Sequence, residues 1–298
     1  MSAASGVANQ PAWSLSPRQR RALRDGLIVA GLLFNANLMI FWLPRLDLWI
    51  DARAWWTINL ADIYGNTDAA LQQVGAFRYS PAIAWLFAPA AMVSWPVLIA
   101  AYLAVNVAAV AILVRRWTLL FLLAFPPVLL ELLNGNIAIL LALAIWAGMR
   151  WPAAWAFVLL SKVTVGVGLL WFVARREWRN LLVAVGITVA IVVVGFVIAP
   201  QAWTTWFQTL VVAASVSPPA GVPPLTLRLP VAAALTWWAA RTDRAWVVPI
   251  ACFLAQPILW LHGTAILLAC FPLFWERLER RPSAAPAPEP ATAVGARA

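Results

Sequence analysis

Apolar stretches recur along the chain from Leu27 to Trp275, separated by short polar breaks. A bilayer core about 30 Å thick takes roughly 20 helical residues per crossing, so the runs predict about eight to ten transmembrane helices. The first lies near Leu27–Leu43, and a second opens at Pro81, where Ser80 is placed to cap a helix whose first residue is proline. Others are expected near Pro96–Val114, Trp117–Leu133, Ile137–Met149, Ala153–Ala174 and Leu181–Ile198. After an irregular loop, "SVSPPAGVPP", come Leu229–Ala240, Ala245–Leu261 and Thr264–Trp275. The expected protein is all-α and polytopic, with an N-terminal tail over 1–26, a transmembrane domain over 27–276 and a disordered Ala/Pro-rich tail over 277–298.

Composition agrees with a membrane protein: 64% of residues are hydrophobic, 11% are charged, and the mean hydropathy is +0.84. The formal charge of +10 comes almost wholly from arginines in short loops and tails. That distribution suits anionic membrane lipids and control of orientation, and it argues against nucleic acid as a partner. Arg18, Arg20, Arg21 and Arg24 precede the first apolar run, which reads as an uncleaved signal anchor with a cytoplasmic N-terminus in a plasma membrane.

The next segment, Pro44–Ser80, then lies outside. It holds Asp47, Asp51, Asp62 and Asp68, four of the chain's eleven acidic residues, and it is rich in aromatics. It reads as a structured loop with short helices along the membrane interface. Simple alternation through all the spans puts "RREWRN", "RTDR" and "ERLERR" in the cytoplasm, but it sends Arg115, Arg116 and Arg150 to the other side. Either those three grip something outside, such as a phosphate, or one of the short segments is re-entrant.

Ionisable and strongly polar groups inside the apolar runs are few: Glu131 with Asn134 and Asn136, Lys162, and the lone His262. Lys162 is also the only lysine. Glu131 and Asn134 share a helix face and could bond to each other or to a neighbouring helix; Lys162 could pair with Glu131 or await an anion. Cys252 and Cys270 both lie in apolar runs and read as packing residues. Asp47 and Asp51 could hold a divalent ion, but no compact ligand cluster accompanies them, so neither metal nor cofactor is expected.

In chain order the polar fragments are "DARAWW", "IYG", "FRYSP" opening a span, "NGN" after an apolar run, a lysine within a span followed by "RREWR", and "QPILWLH". This ordered set, from Leu46 to Pro272, resembles glycosyltransferase family 87, polyprenol-phosphate-mannose-dependent enzymes of the GT-C superfamily. The resemblance implies a GT-C-like fold with an extracytoplasmic first loop. It also implies transfer of a hexose, mannose in that family, from a polyprenyl-phosphate sugar donor to a lipid or glycan acceptor.

Such a donor leaves as a stabilised phosphate, so the second carboxyl group that a glycosidase needs for leaving-group protonation is dispensable. What remains is one base and cations for the phosphate. The resemblance points to Asp51 as that base, with Asp47 as the fallback. Lys162 and Arg78 become phosphate partners, and Tyr79, Asn134, Asn136 and His262 further substrate-binding residues. Two other readings of intramembrane charges remain at this level, a transporter or lipid flippase and a non-catalytic scaffold.

Overall fold

The computed structural model describes residues 16–65, 77–214 and 221–279, and every regular element among them is helical. Helix α1 spans Pro17–Asn37 and opens with a capping box, Ser16 accepting from the Gln19 amide and Gln19 reaching back to Ser16. It therefore starts ahead of Leu27 and takes in the four arginines expected in the tail. A helical extension continues to Arg45. Then come α2 (Ile50–Trp56), α3 (Pro81–Phe87), α4 (Trp95–Val114), α5 (Thr118–Ala124), α6 (Pro126–Asn134) and α7 (Ala138–Gly148). The second half holds α8 (Trp155–Ser161), α9 (Leu170–Arg175), α10 (Trp178–Ile198), α11 (Pro200–Ala214), α12 (Leu225–Arg241), α13 (Val248–Leu254) and α14 (Cys270–Glu279). Tighter helical turns over Val163–Leu169 and His262–Ala269 lead into α9 and α14.

Three stretches are long and apolar enough to cross a membrane by themselves, Pro17–Arg45, Trp95–Ala124 and Trp178–Ile198, with the pair α6 and α7 as a fourth if it counts as one bent crossing. The all-α membrane class is as expected, with three to four helices of full crossing length where about eight to ten spans are expected. Several expected spans are built from pieces of 10–17 residues, and a ten-residue helix rises only about 15 Å. Prolines and strained residues set the breaks. Pro126 separates α5 from α6, and Arg115, with φ 50, separates α4 from α5. Helix α6 comes back beside α4, the Tyr102 hydroxyl in α4 donating to the Glu131 carbonyl in α6 at 2.8 Å.

Two further departures concern which end of the bundle each segment reaches. Ser80 does cap α3, as expected, its hydroxyl accepting from Ile83 N at 3.4 Å. The segment Pro81–Met92 nevertheless does not traverse the bundle. Its start is tied to the end of α8 by Ser80 N donating to Leu160 O at 3.2 Å, and the residue after it, Val93, accepts from the Trp56 indole at 2.9 Å. Conversely, the expected single span Ala153–Ala174 breaks at Lys162, whose extended backbone (φ −144, ψ 91) ends α8.

One expected crossing drops out before Arg115 and another splits after Arg150, which removes the conflict over the arginines. Arg150 bonds to Glu276 at 2.8 Å and Arg175 to Asp243 at 3.0 Å, so the ends of α7, α9, α12 and α14 gather together, opposite the end that carries α2, Lys162 and His262. The expected tail over 277–298 falls mostly outside the described residues, as does Asp68.

Candidate active site

The site forms where α6 hands over to α7, a pair bent by 116° around "NGN". Gly135 adopts φ 81, and a Cβ there would lie 2.8 Å from Ala52 Cβ and 2.9 Å from Ala52 N. A side chain is excluded both by the left-handed backbone and by the closeness of α2. Trp49, itself left-handed at φ 53, completes the joint: its backbone N–H donates to Leu133 O at 2.7 Å and its indole to Leu132 O at 3.0 Å. These bonds occupy carbonyls at the end of α6 that the helix leaves unpaired.

The joint brings Asp51 between two amides. Asn134 donates to Asp51 Oδ2 at 2.5 Å, and Asn136 donates to the same oxygen. Asn136 cannot turn its amide round without loss, since its own oxygen accepts from Ile137 N at 2.6 Å and from the Tyr79 hydroxyl at 3.4 Å. Both donors therefore converge on Oδ2, and Oδ1 accepts no hydrogen bond among the described residues. Burial raises the Asp51 carboxyl above its ordinary range. The amide of Asn136, the Lys162 ammonium, the amide of Asn134 and the Arg78 guanidinium each pull it back part of the way.

Glu131 is wholly buried and bonds to the neighbouring helix. It does not bond to Asn134, and no ion pair joins it to Lys162 among the described residues. Its Oε1 accepts from Ala138 N in the first turn of α7, one of the backbone donors a helix leaves unpaired at its start. Tyr102, also buried, spans the break by donating to Glu131 O at 2.8 Å and Asn136 O at 3.1 Å. The carboxylate and the phenol thus hold the two halves of the bent pair at the angle that presents both asparagines.

Lys162 lies across the site, half-buried, with Nζ donating to Gln256 Oε1 at 3.1 Å. His262 lies within electrostatic reach of Lys162, and its ring stacks on Trp260 with centroids 6.1 Å apart. Arg78 stands at the entry to α3 within reach of Asp51; burial draws its pKa down and the Asp51 carboxylate opposes this. Tyr79 joins the cluster through Asn136. Asp47 does not. It is exposed, and the left-handed turn at Trp49 separates it from the carboxylate that the amides hold. Among the described residues no three His, Cys, Asp or Glu side chains come together.

Residues 77–290 match Glycosyltransferase family 87. The chain belongs to this family. Neither the curated proteins nor the solved structures hold a significant match. This family 87 chain is accordingly a membrane glycosyltransferase, one that uses a sugar donor and an acceptor. The matched region begins at Phe77, so it takes in Arg78, Tyr79, both asparagines, Lys162 and His262, whereas Asp51 lies before it.

Sequence reasoning passed over Tyr102, Gln256 and Arg228. Tyr102 looked like one more aromatic in an apolar run. Gln256 stands inside "QPILWLH", and Arg228 sits within a helix, away from the arginine-rich end. An uncompensated polar group in an apolar run was the signal available for both.

Proposed function

We propose that this enzyme transfers a hexose, mannose by the family resemblance, from a polyprenyl-phosphate donor to a hydroxyl of a lipid or glycan acceptor, with Asp51 as general base. The observation that carries the reading is the pair of asparagine amides on one oxygen of Asp51, with two cations in electrostatic reach. The amides fix the carboxylate and leave Oδ1 for the acceptor hydroxyl. As the hydroxyl proton passes to Oδ1, the hydroxyl oxygen bonds to the anomeric carbon. The bond from that carbon to the phosphate oxygen breaks, and its electron pair goes to the phosphate. Lys162 and Arg78 stabilise the charge that grows there.

Tyr79 and His262 complete the walls around the sugar, and the apolar helices accommodate the polyprenyl chain. The fold is of the GT-C type, the site end faces out of the cytoplasm at the plasma membrane, and the arginine-rich end faces in, as the charge rule favours. Purified protein incubated with radiolabelled polyprenyl-phosphate sugars and membrane lipid acceptors tests the reading. Transfer that depends on Asp51 is expected; transfer from a nucleotide sugar alone would reject it.

A further inference from the structure

Lys162 is held in an unusual way for a lysine among apolar helices. Its one side-chain partner among the described residues is the neutral amide of Gln256, and neither Glu131 nor Asp51 comes within ion-pair distance of it. An amide accepts one hydrogen of the ammonium and leaves the charge intact; a carboxylate in the same place would neutralise it. Gln256 is 1% exposed, and its other end donates to Gly263 O at 3.2 Å. Reversing the amide would set N–H against ammonium and oxygen against oxygen, so both bonds fix its direction. A Cβ on Gly263 would lie 3.2 to 3.3 Å from the amide atoms, which keeps the His262 turn closed over it.

The turn that carries Gln256 is itself fixed by Arg228, which is 5% exposed and pairs with no carboxylate among the described residues. Its Nε donates to Pro223 O at 2.8 Å, Nη1 to Leu254 O and Gln256 O at 2.7 Å each, and Nη2 to Pro257 O at 2.9 Å. Helix α13 ends at Leu254, so carbonyls here lack helical partners, and the planar fork of arginine bridges them in one geometry. The line runs from Arg228 through the Gln256 backbone and amide to Lys162 Nζ.

We infer that Gln256, braced by Arg228, is a positioning residue that aims the Lys162 ammonium, with its charge unspent, at the phosphate of the donor. The inference rests on the proposed polyprenyl-phosphate reading and adds the residues that make its cation available.

Full-length protein in lipid nanodiscs is titrated with a polyprenyl phosphate and with the matching polyprenol, and the ratio of the two affinities is read. A residue that only supports the fold changes both affinities alike. Gln256→Met, close in volume, should lower the ratio roughly tenfold, the loss of one charge-assisted hydrogen bond. Lys162→Met should do at least as much, and the double variant no more than Lys162→Met alone. An unchanged ratio in Gln256→Met, or losses that add in the double variant, would overturn the inference.

If Gln256→Met does not fold, Gln256→Glu decides: it sets a carboxylate beside Lys162 and should abolish the phosphate preference, and a preserved preference refutes the idea. Arg228→Lys keeps the charge and loses the fork, so a partial loss of the ratio is expected; no change there removes the brace. An unchanged ratio in Lys162→Met is a separate outcome, which defeats the phosphate role of the lysine and the inference with it.

Discussion

As the proposed base, Asp51 acts only while ionised, and the side chains around it pull on its protonation in opposite directions. Burial raises its pKa and the two amides lower it, with the net position above the ordinary aspartate range. The rate of transfer should therefore fall as pH drops through a value above that range. Removing a donor with Asn136→Ala or Asn134→Ala should move this acid limb to higher pH, since the ionised form loses a hydrogen bond. A pH profile of kcat/KM for the three proteins checks the direction. Asp51→Asn preserves shape but cannot take the proton, so activity should fall by roughly 10²- to 10⁴-fold while donor binding persists. Asp47→Asn, exposed and outside the cluster, should be nearly silent in the same assay.

At the scale of the element, the site depends on one bent helix pair and its fasteners. Gly135→Ala forces a Cβ into a left-handed residue pressed on Ala52, and should destabilise the protein by about 1–3 kcal/mol while pushing α2 and Asp51 away. Loss of activity beyond the loss of thermal stability would register that displacement. Glu131 gives a second test. As the partner of the first turn of α7, it should be replaceable by glutamine, which still offers an acceptor to Ala138 N, but not by leucine, which leaves buried donors unpaired at a cost of about 1–3 kcal/mol. The double variant Glu131→Gln with Lys162→Met should show no recovery of stability over the singles, because the two side chains bond to different partners. Recovery in a melting experiment would restore the ion pair as the better account.

For the whole molecule, the path of the chain fixes which loops share a side. Arg116, Arg150 and Glu276 belong to one end and Asn59 to the other, with Pro81–Met92 returning to the end from which it came. In a protein whose native Cys252 and Cys270 are replaced by alanine, a cysteine at Asn59 should react with an impermeant thiol reagent in intact cells. Cysteines at Arg116 and Arg150 should react only after permeabilisation. Labelling of Arg116 from outside would reverse the orientation proposed for the donor.

Composition and run length alone determined the solvent of this protein and the secondary structure it uses, because a backbone in hydrocarbon has few ways to satisfy its hydrogen bonds other than helix. Asn134, Asn136, Lys162 and His262 stood out because polar groups among apolar residues are costly, whereas Asp51 was marked by the family resemblance of the ordered fragments. Only the tertiary structure decided what those residues touch. A hydropathy run does not say whether a segment crosses, turns back or breaks, so the segment opening at Pro81 read as a span and Ala153–Ala174 as one unbroken helix. Glu131 and Lys162 looked like partners because opposite charges in a low dielectric attract. The fold offered each a nearer match, unpaired backbone donors at Ala138 for the carboxylate and the Gln256 amide for the ammonium, and those short directional bonds are set by how helices meet in space, which spacing along the chain does not encode.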